Sequence, residues 1–242
     1  MKISFLIPTL DEEAWIGPSL RALRAGMRDI GHRDGGFSAE IIVCDGGSND
    51  GTIEQARLHG ADRVVCAAAG RARQINAGAR QAGGDVLVML HADSLVGPGA
   101  IEAIVEAIEA GHIGGWFQIE ILPELQTTAA SSALGCVARG INLRTRLFQT
   151  ATSDQGIFCR RDIFEAIGGL PEVSLMEGNL FARALRRRGS VAILGPELRI
   201  SGRRWEKNGL FRTILLMYGI RAAHMAGVDP DKLERVWRRF SR

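Results

Sequence analysis

Residues 85–94 read DVLVMLHADS, and the consecutive apolar residues Val86, Leu87, Val88, Met89 and Leu90 stop abruptly at His91 and Asp93. An apolar run without alternation suits a central parallel strand buried on both faces, not a half-exposed one. In an open α/β sheet, ligands collect just beyond the carboxyl ends of strands, where loops present polar groups without burying them unpaired. His91 and Asp93 stand at that place. Asp93 offers a hard oxygen and His91 a nitrogen, and a separation of two on extended backbone points both the same way, as a divalent ion requires. The alternative is a helix-capping Asp after a buried strand, because Asp followed by Ser and a Pro-Gly turn is also ordinary loop chemistry.

Upstream, the pattern of strand, loop and helix repeats. Ile3 to Ile7 is a short apolar strand halted by Pro8 and followed by Thr9, Leu10, Asp11, Glu12 and Glu13. Asp11 is placed to cap a helix in which Ile16, Leu20 and Leu23 recur at helical spacing. Gly31 to Gly36 reads as a loop. Ile41, Ile42 and Val43 form a second strand that runs into Asp45-Gly46-Gly47-Ser48-Asn49-Asp50-Gly51-Thr52. Such a turn lets backbone approach a ligand closely, and Asp45 at the strand end can accept hydrogen bonds from a base or ribose. A tight strand-to-helix connection explains it equally, for it has neither GxGxxG spacing nor a GK[ST] ending. Arg57 to Ala61 closes a helix, and Arg63 to Cys66 is a third strand. Gly70-Arg71-Ala72-Arg73-Gln74-Ile75-Asn76-Ala77-Gly78 then enters another helix. Two arginines there suit a diphosphate, since guanidinium is a planar fork of donors and a helix N-terminus attracts anions; a solvated face is the plain alternative.

The chain has 242 residues, 46% of them hydrophobic, enough for one large α/β domain or two small ones. The formal charge of +3 is unevenly spread, because Arg186, Arg187, Arg188, Arg203, Arg204, Arg235, Arg238, Arg239 and Arg242 crowd the C-terminal quarter. That favours an anionic small molecule or lipid. Nucleic acid fits poorly, because one Tyr and no aromatic interleaving leave little to stack on bases. Cys44, Cys66, Cys136 and Cys159 lack CxxC spacing, so a reduced, cytoplasmic protein is expected. The N-terminus does not read as a signal or transit peptide, and no run reaches the ~18 to 20 apolar residues of a membrane span.

The succession PTLDE at 8–12, DGGSNDGT at 45–52, GRARQINAG at 70–78 and LHAD at 90–93 resembles the nucleotide-sugar half of a family 2 glycosyltransferase with the GT-A fold, and more narrowly a small soluble bacterial subgroup. The resemblance implies a mixed, mostly parallel sheet flanked by helices and a single domain over 1–242. Its nucleotide-sugar half would be 1–95, its acceptor half 96–205 and its C-terminal helices 206–242. It implies a nucleotide-diphosphate sugar donor, with UDP the expected nucleotide, an acceptor hydroxyl, inversion at the anomeric carbon, and Mg²⁺ or Mn²⁺ on Asp93 with His91. His91 stands where many relatives have a first Asp. The donor site is expected from Pro8, Thr9, Asp11, Glu12, Asp45, Gly46, Gly47, Ser48, Arg71, Arg73, Asn76, His91, Ala92 and Asp93. Arg203, Arg204 and Trp205 complete it, resembling a segment the subgroup carries after its last strand.

Further along, Ala100 to Ala110 reads as an amphipathic helix and Gly114 to Leu122 as a strand. Thr127 to Ala151 is a low-charge segment, with Arg139, Arg144 and Arg146, that is either packing or an acceptor-facing helix; packing is favoured. IFCRRDIFEAIGG at 157–169, Leu170-Pro171 and Met176-Glu177-Gly178-Asn179 again resemble the family, in which a Glu-Asp pair heads a helix and the Asp is the acceptor base. Gly178 occupies that Asp position here. Glu177 and Asp154 are therefore the candidate bases, and a catalytically impaired nucleotide-sugar-binding protein is the rival reading. A nucleotidyltransferase would show a glycine-rich, basic signature near residue 10, which PTLDEE does not supply. Leu210 to Ala226 and DPDKLERVWRRF at 229–240 read as two helices. They suit an anionic membrane surface with a lipid-linked acceptor, or packing on the domain or in a homodimer; the breadth of the apolar face favours packing.

Overall fold

The computed structural model describes residues 1–31, 37–123 and 128–241. The expected loop at Gly31 to Gly36 lies outside them from residue 32 onward, as do 124–127, Arg242 and the side chain of Arg238. One eight-stranded sheet runs through the molecule in the order β3-β2-β1-β4-β7-β6-β8-β5. The strands are β1 (Lys2–Thr9), β2 (Ser38–Asp45), β3 (Arg63–Cys66), β4 (Val86–Met89), β5 (Leu95–Val96), β6 (Gly114–Leu122), β7 (Ile157–Arg160) and β8 (Val191–Ser201). The helices are α1 (Glu13–Gly31), α2 (Thr52–Leu58), α3 (Arg71–Gln81), α4 (Ala100–Glu109), α5 (Thr128–Phe148), α6 (Arg161–Ile167), α7 (Glu177–Arg186), α8 (Arg203–Asn208), α9 (Leu210–Met225) and α10 (Pro230–Ser241).

The first four strands in the order are parallel, with Thr9 opposite Asp45 and Leu6 opposite Met89. β4 is parallel to β1 but antiparallel to β7, so the strand expected inside a parallel sheet sits where the sheet changes direction. β6 and β8 are parallel, while β5 runs antiparallel to β8.

The unbroken apolar runs are explained by cover on both faces. Ile3, Phe5 and Ile7 face one core with Val86 and Val88, packed against Ile16, Leu20 and Leu23 of α1 and Ile101 and Ile104 of α4. The alternate residues Leu6, Leu87 and Met89 face the other, with Ile75 of α3, Phe164 of α6 and Phe181 of α7. The period of two thus sends neighbouring side chains to opposite layers. β1 runs on through Pro8 because its pairing with β4 stops at Leu6, so the missing proline N–H interrupts no ladder on that side.

Two expectations about local structure change. Asp11 does not cap α1: it has φ 53°, and its carboxylate accepts the N–H of Asn49, while Glu12 supplies the carbonyl that starts the helix. His91 and Asp93 lie on a turn after β4, closed by the Ser94 N–H to the His91 carbonyl at 3.1 Å, and not on extended backbone. The low-charge segment forms the long helix α5 from Thr128, and its Asn142 ties it to the sheet, bracketing the backbone of Ile119 in β6 with two 2.9 Å hydrogen bonds.

Candidate active site

The carboxyl ends of β2, β1 and β4 stand side by side, so Asp45 and the turn after β4 are separated by two strand spacings, roughly 10 Å. Gln74, buried on the first turns of α3, ties two of these ends together. Its Nε2 donates to the carbonyls of Thr9 and Cys44, each at 2.7 Å. Beyond them opens a cleft of about 510 Å³ lined by Pro8, Thr9, Glu12, Arg71, Arg73, His91, Ala92, Asp93, Arg203 and Arg204, with Glu177 at its inner side. Residues from five distant stretches of the chain therefore converge there.

Charge is unevenly matched in this cleft. Arg203 lies 3.4 Å from Glu12 and 3.3 Å from Asp93, and its guanidinium sits 5.0 Å from the ring of Trp15. Burial lifts the Glu12 carboxyl above its ordinary range; Arg203 pulls it back, and the Asp93 charge adds to the rise. His91 Nδ1 is 4.0 Å from Asp93 Oδ1, and His91 Nε2 is buried without a hydrogen-bond partner. Burial first, then Arg71, Arg204 and Arg203, hold this imidazole well below the usual histidine range, so it is neutral at pH 7. Arg204 is stacked 4.9 Å from the ring of Trp237.

The 45–48 loop closes on its own carboxylate. Asp45 is buried, and its carboxylate accepts the N–H groups of Gly47 (2.8 Å) and Ser48 (2.9 Å) and the hydroxyls of Ser48 (2.5 Å) and Thr9 (3.1 Å). Burial pushes this carboxyl up, but the hydrogen bonds from Ser48, Gly47 and Thr9 outweigh it and hold it below the ordinary range. Asp45, Gly46, Gly47 and Ser48 are not among the residues that line this cleft, and Asp45 holds its own turn in shape. Asp11 faces a neighbouring shallow hollow with Trp15 and Asp50.

Two other expected donor residues face elsewhere. Asn76 pins the turn after α6, donating to the Leu170 carbonyl and accepting the Leu170 N–H, each at 2.9 Å. Trp205 is buried and lines a groove between α5 and α9. The arginines beside it stack on Trp15 and Trp237 instead.

The candidate bases stand together beside the cleft. Phe181 and Leu185 bury one face of α7, with Phe181 5.5 Å from Phe164, and this fixes Glu177 on its first turn. Glu177 Oε1 accepts from Arg71 Nη1 and from Ser153 Oγ, both at 2.9 Å. Asp154, on the 3₁₀ turn Ser153–Gln155, accepts the Thr152 hydroxyl. Both carboxylates line an adjoining cavity of about 140 Å³ with His91, Arg204 and Arg221. At Gly178 a Cβ would come within 2.7 Å of the Ser153 nitrogen and 2.9 Å of its Cα. The space a side chain at 178 would need is thus filled by Ser153.

Sequence reasoning passed over Gln74, Ser153, Trp15 and Trp237. For Gln74 a signal existed, since a polar residue three beyond Arg71 on a helix start faces the same side as Arg71. The others come from segments with no motif.

Comparison with known proteins agrees with this architecture. Glycosyl transferase family 2 matches residues 4–167, more than half of the chain, and the chain belongs to that family. No curated protein matches it. Among solved structures, TarS 1–349 of S. aureus superposes with a TM-score of 0.60 at 18% identity, covering 84% of this chain and 61% of that one. The same protein in complex with UDP-GlcNAc gives 0.59 at 18% identity, over 83% and 58%. Glucosyl-3-phosphoglycerate synthase from Mycobacterium tuberculosis, in complex with Mn²⁺, UDP-glucose and glycerol 3-phosphate, gives 0.53 at 19% identity, over 80% and 69%. The fold is therefore GT-A, and the chain spans less than two thirds of the length of the TarS structures it matches.

Proposed function

We propose that the protein transfers a sugar from a nucleotide-diphosphate donor, UDP-linked, to an acceptor hydroxyl with inversion. One observation carries this reading: Arg71, Arg203 and Arg204 converge with Asp93 and His91 on a cleft at the carboxyl ends of β1 and β4. Three guanidiniums suit a diphosphate, and the charge that grows on the leaving phosphate as the glycosidic bond breaks is stabilised by donors already in place.

A divalent ion fits the donor set. His91 keeps an unpartnered ring nitrogen and Asp93 supplies a hard oxygen. Among the described residues no group of three His, Cys, Asp or Glu could hold a metal, so diphosphate oxygens and water would complete the coordination, as is usual for Mg²⁺. When bound, the ion neutralises charge on the leaving diphosphate. Arg203, which bridges Glu12 and Asp93, keeps the two carboxylates from repelling each other.

Glu177 is the base we assign to the acceptor hydroxyl, with Asp154 second. Arg71 ties Glu177 to the diphosphate side, so a donor that draws Arg71 onto its phosphates releases the carboxylate. A specific observation also favours the rival reading of a nucleotide-sugar-binding protein with impaired catalysis, because Glu177 is already engaged by Arg71 and Ser153. A base is worth ~10²- to 10⁴-fold, so its engagement slows transfer without abolishing it. Thermal-shift screening of nucleotide sugars with and without Mn²⁺ tests the donor site, since ligands that bind the native state raise its melting point. UDP release from the best binder separates enzyme from binding protein.

The peripheral membrane reading of the C-terminal helices is supported by exposed Phe211, Leu215 and Met225 on α9. Against it, α10 buries Leu233; separately, no helix of the described residues is long and apolar enough to cross a membrane.

A further inference from the structure

A cavity of about 280 Å³ lies between α5 and α9, outside the cleft assigned to the donor. Its walls are apolar, formed by Val137 and Ile141 from α5, Ile214 and Met217 from α9, and Trp205. Leu143 and Leu147 on α5 and Leu215 and Tyr218 on α9 stand exposed on the same two helices.

Such a groove alone says nothing of its occupant, but its lining includes two cations. Arg144 and Arg221 line it, and Arg144 Nε and Arg221 Nη2 are buried without a hydrogen-bond partner among the described residues. Arg221 and Met217 also line the adjoining cavity that contains Asp154, Glu177 and Arg204. The groove therefore leads to the candidate bases.

The charges there do not balance. Arg144 and Arg221 share the single carboxylate of Asp154 in the adjoining cavity, while Arg71 is taken by Glu177, Arg203 by Glu12 and Asp93, and Arg204 lines the donor cleft and stacks on Trp237. Two guanidiniums, each with a buried nitrogen that lacks a hydrogen-bond partner, thus stand against one carboxylate, and a phosphate monoester, with three strong acceptor oxygens and a charge of about −1.5 to −2 at pH 7, supplies acceptors to both. Burial, with Arg221 beside it, pushes the Arg144 guanidinium down to about 10, the direction expected of a cation short of an anion.

We propose that this groove is the acceptor subsite and takes a lipid-like phosphate monoester that also carries the acceptor hydroxyl: a single apolar chain lies between α5 and α9, and its phosphate rests on Arg144 and Arg221 beside Asp154. The name acceptor rests on the glycosyl-transfer reading; the binding site does not. A flat bilayer surface does not account for buried guanidinium nitrogens.

The test is calorimetric titration of the full chain with dodecyl phosphate below its micelle concentration, beside dodecanol, inorganic phosphate and UDP. Dodecyl phosphate is expected to bind one to one and more tightly than either fragment. Arg144→Gln with Arg221→Gln should weaken it by at least about tenfold, the scale of charge-assisted hydrogen bonds, and leave UDP affinity unchanged. Because that pair is partly buried, Gly140→Leu gives an independent check. A Cβ at Gly140 meets nothing within 4 Å, so the side chain enters the groove without strain and should block the dodecyl chain.

Dodecyl phosphate binding no tighter than dodecanol, or equally well to both variants, overturns the proposal. So does attachment to phosphatidylglycerol vesicles without one-to-one binding, which would assign the patch to a bilayer surface. Loss of UDP binding with dodecyl phosphate binding intact would sink the transferase reading and leave the groove standing.

Discussion

Arg71 Nη1 lies 2.9 Å from Glu177 Oε1, and this ion pair joins the first turn of α3 to the first turn of α7 across 106 residues of sequence. It links the group we assign to the diphosphate with the group we assign to the acceptor proton. Glu177 is almost fully buried while Arg71 is 39% exposed, so the carboxylate depends on the pair more than the guanidinium does.

Glu177→Gln should lower turnover by ~10²- to 10⁴-fold with UDP-sugar affinity changed far less, the loss expected of a general base. Single-turnover kinetics beside donor titration checks this. Equal losses in both would make Glu177 a structural partner of Arg71. Arg71→Ala should weaken UDP binding and also cost roughly 1–3 kcal/mol of stability, because it strands a buried carboxylate.

Gly178→Asp, which restores the residue found in relatives, should not restore catalysis. Its side chain would run into the backbone of Ser153, and Ser153→Gly would not relieve the contact with the nitrogen and Cα. A loss of roughly 1–3 kcal/mol is expected by denaturant unfolding, as for other overpacked sites. Higher transfer activity in this variant would show that the 152–155 segment can move aside.

Asp45 contributes stability that depends on pH. Its folded carboxyl lies below the ordinary range, so that contribution is complete above the unfolded value and disappears as pH falls through the folded one. Asp45→Asn should therefore cost roughly 2 kcal/mol near neutral pH, the scale of hydrogen bonds to a charged group, and progressively less below pH ~4. Denaturation midpoints of both proteins across pH 3–7 measure this. A constant difference would mean that the charge is not what holds the turn.

Asp93→Ala should abolish any extra thermal stabilisation by UDP that depends on Mn²⁺, while Asn76→Ala should lower stability by about 1–2 kcal/mol and leave the UDP response intact. The contrast separates the residue facing the cleft from the one that pins Leu170, though both lie in motifs shared with relatives.

Much of the element plan was legible from pattern. Arg63–Cys66 and Gly114–Leu122 are strands with the expected bounds, and α9 and α10 begin where the sequence placed them. The apolar run at 86–90 correctly marked the strand whose end opens onto the cleft. The direction of its second neighbour was not legible, since burial on both faces reads the same beside a parallel or an antiparallel partner.

Periodicity and residue type alone determined which segments are strands and helices, that both sheet faces are covered, and that carboxylates and arginines gather at strand ends. Those are local properties, set by side-chain alternation and by the chemistry of turns. Tertiary structure decided which of those polar groups meet. Asp45 turns inward to its own loop, Asn76 holds a distant backbone, Trp205 leaves the arginines beside it, and Arg144 and Arg221 end one groove from two separate helices. The way a side chain at a strand or helix end faces depends on which distant segment packs against it, and no local pattern encodes that neighbour.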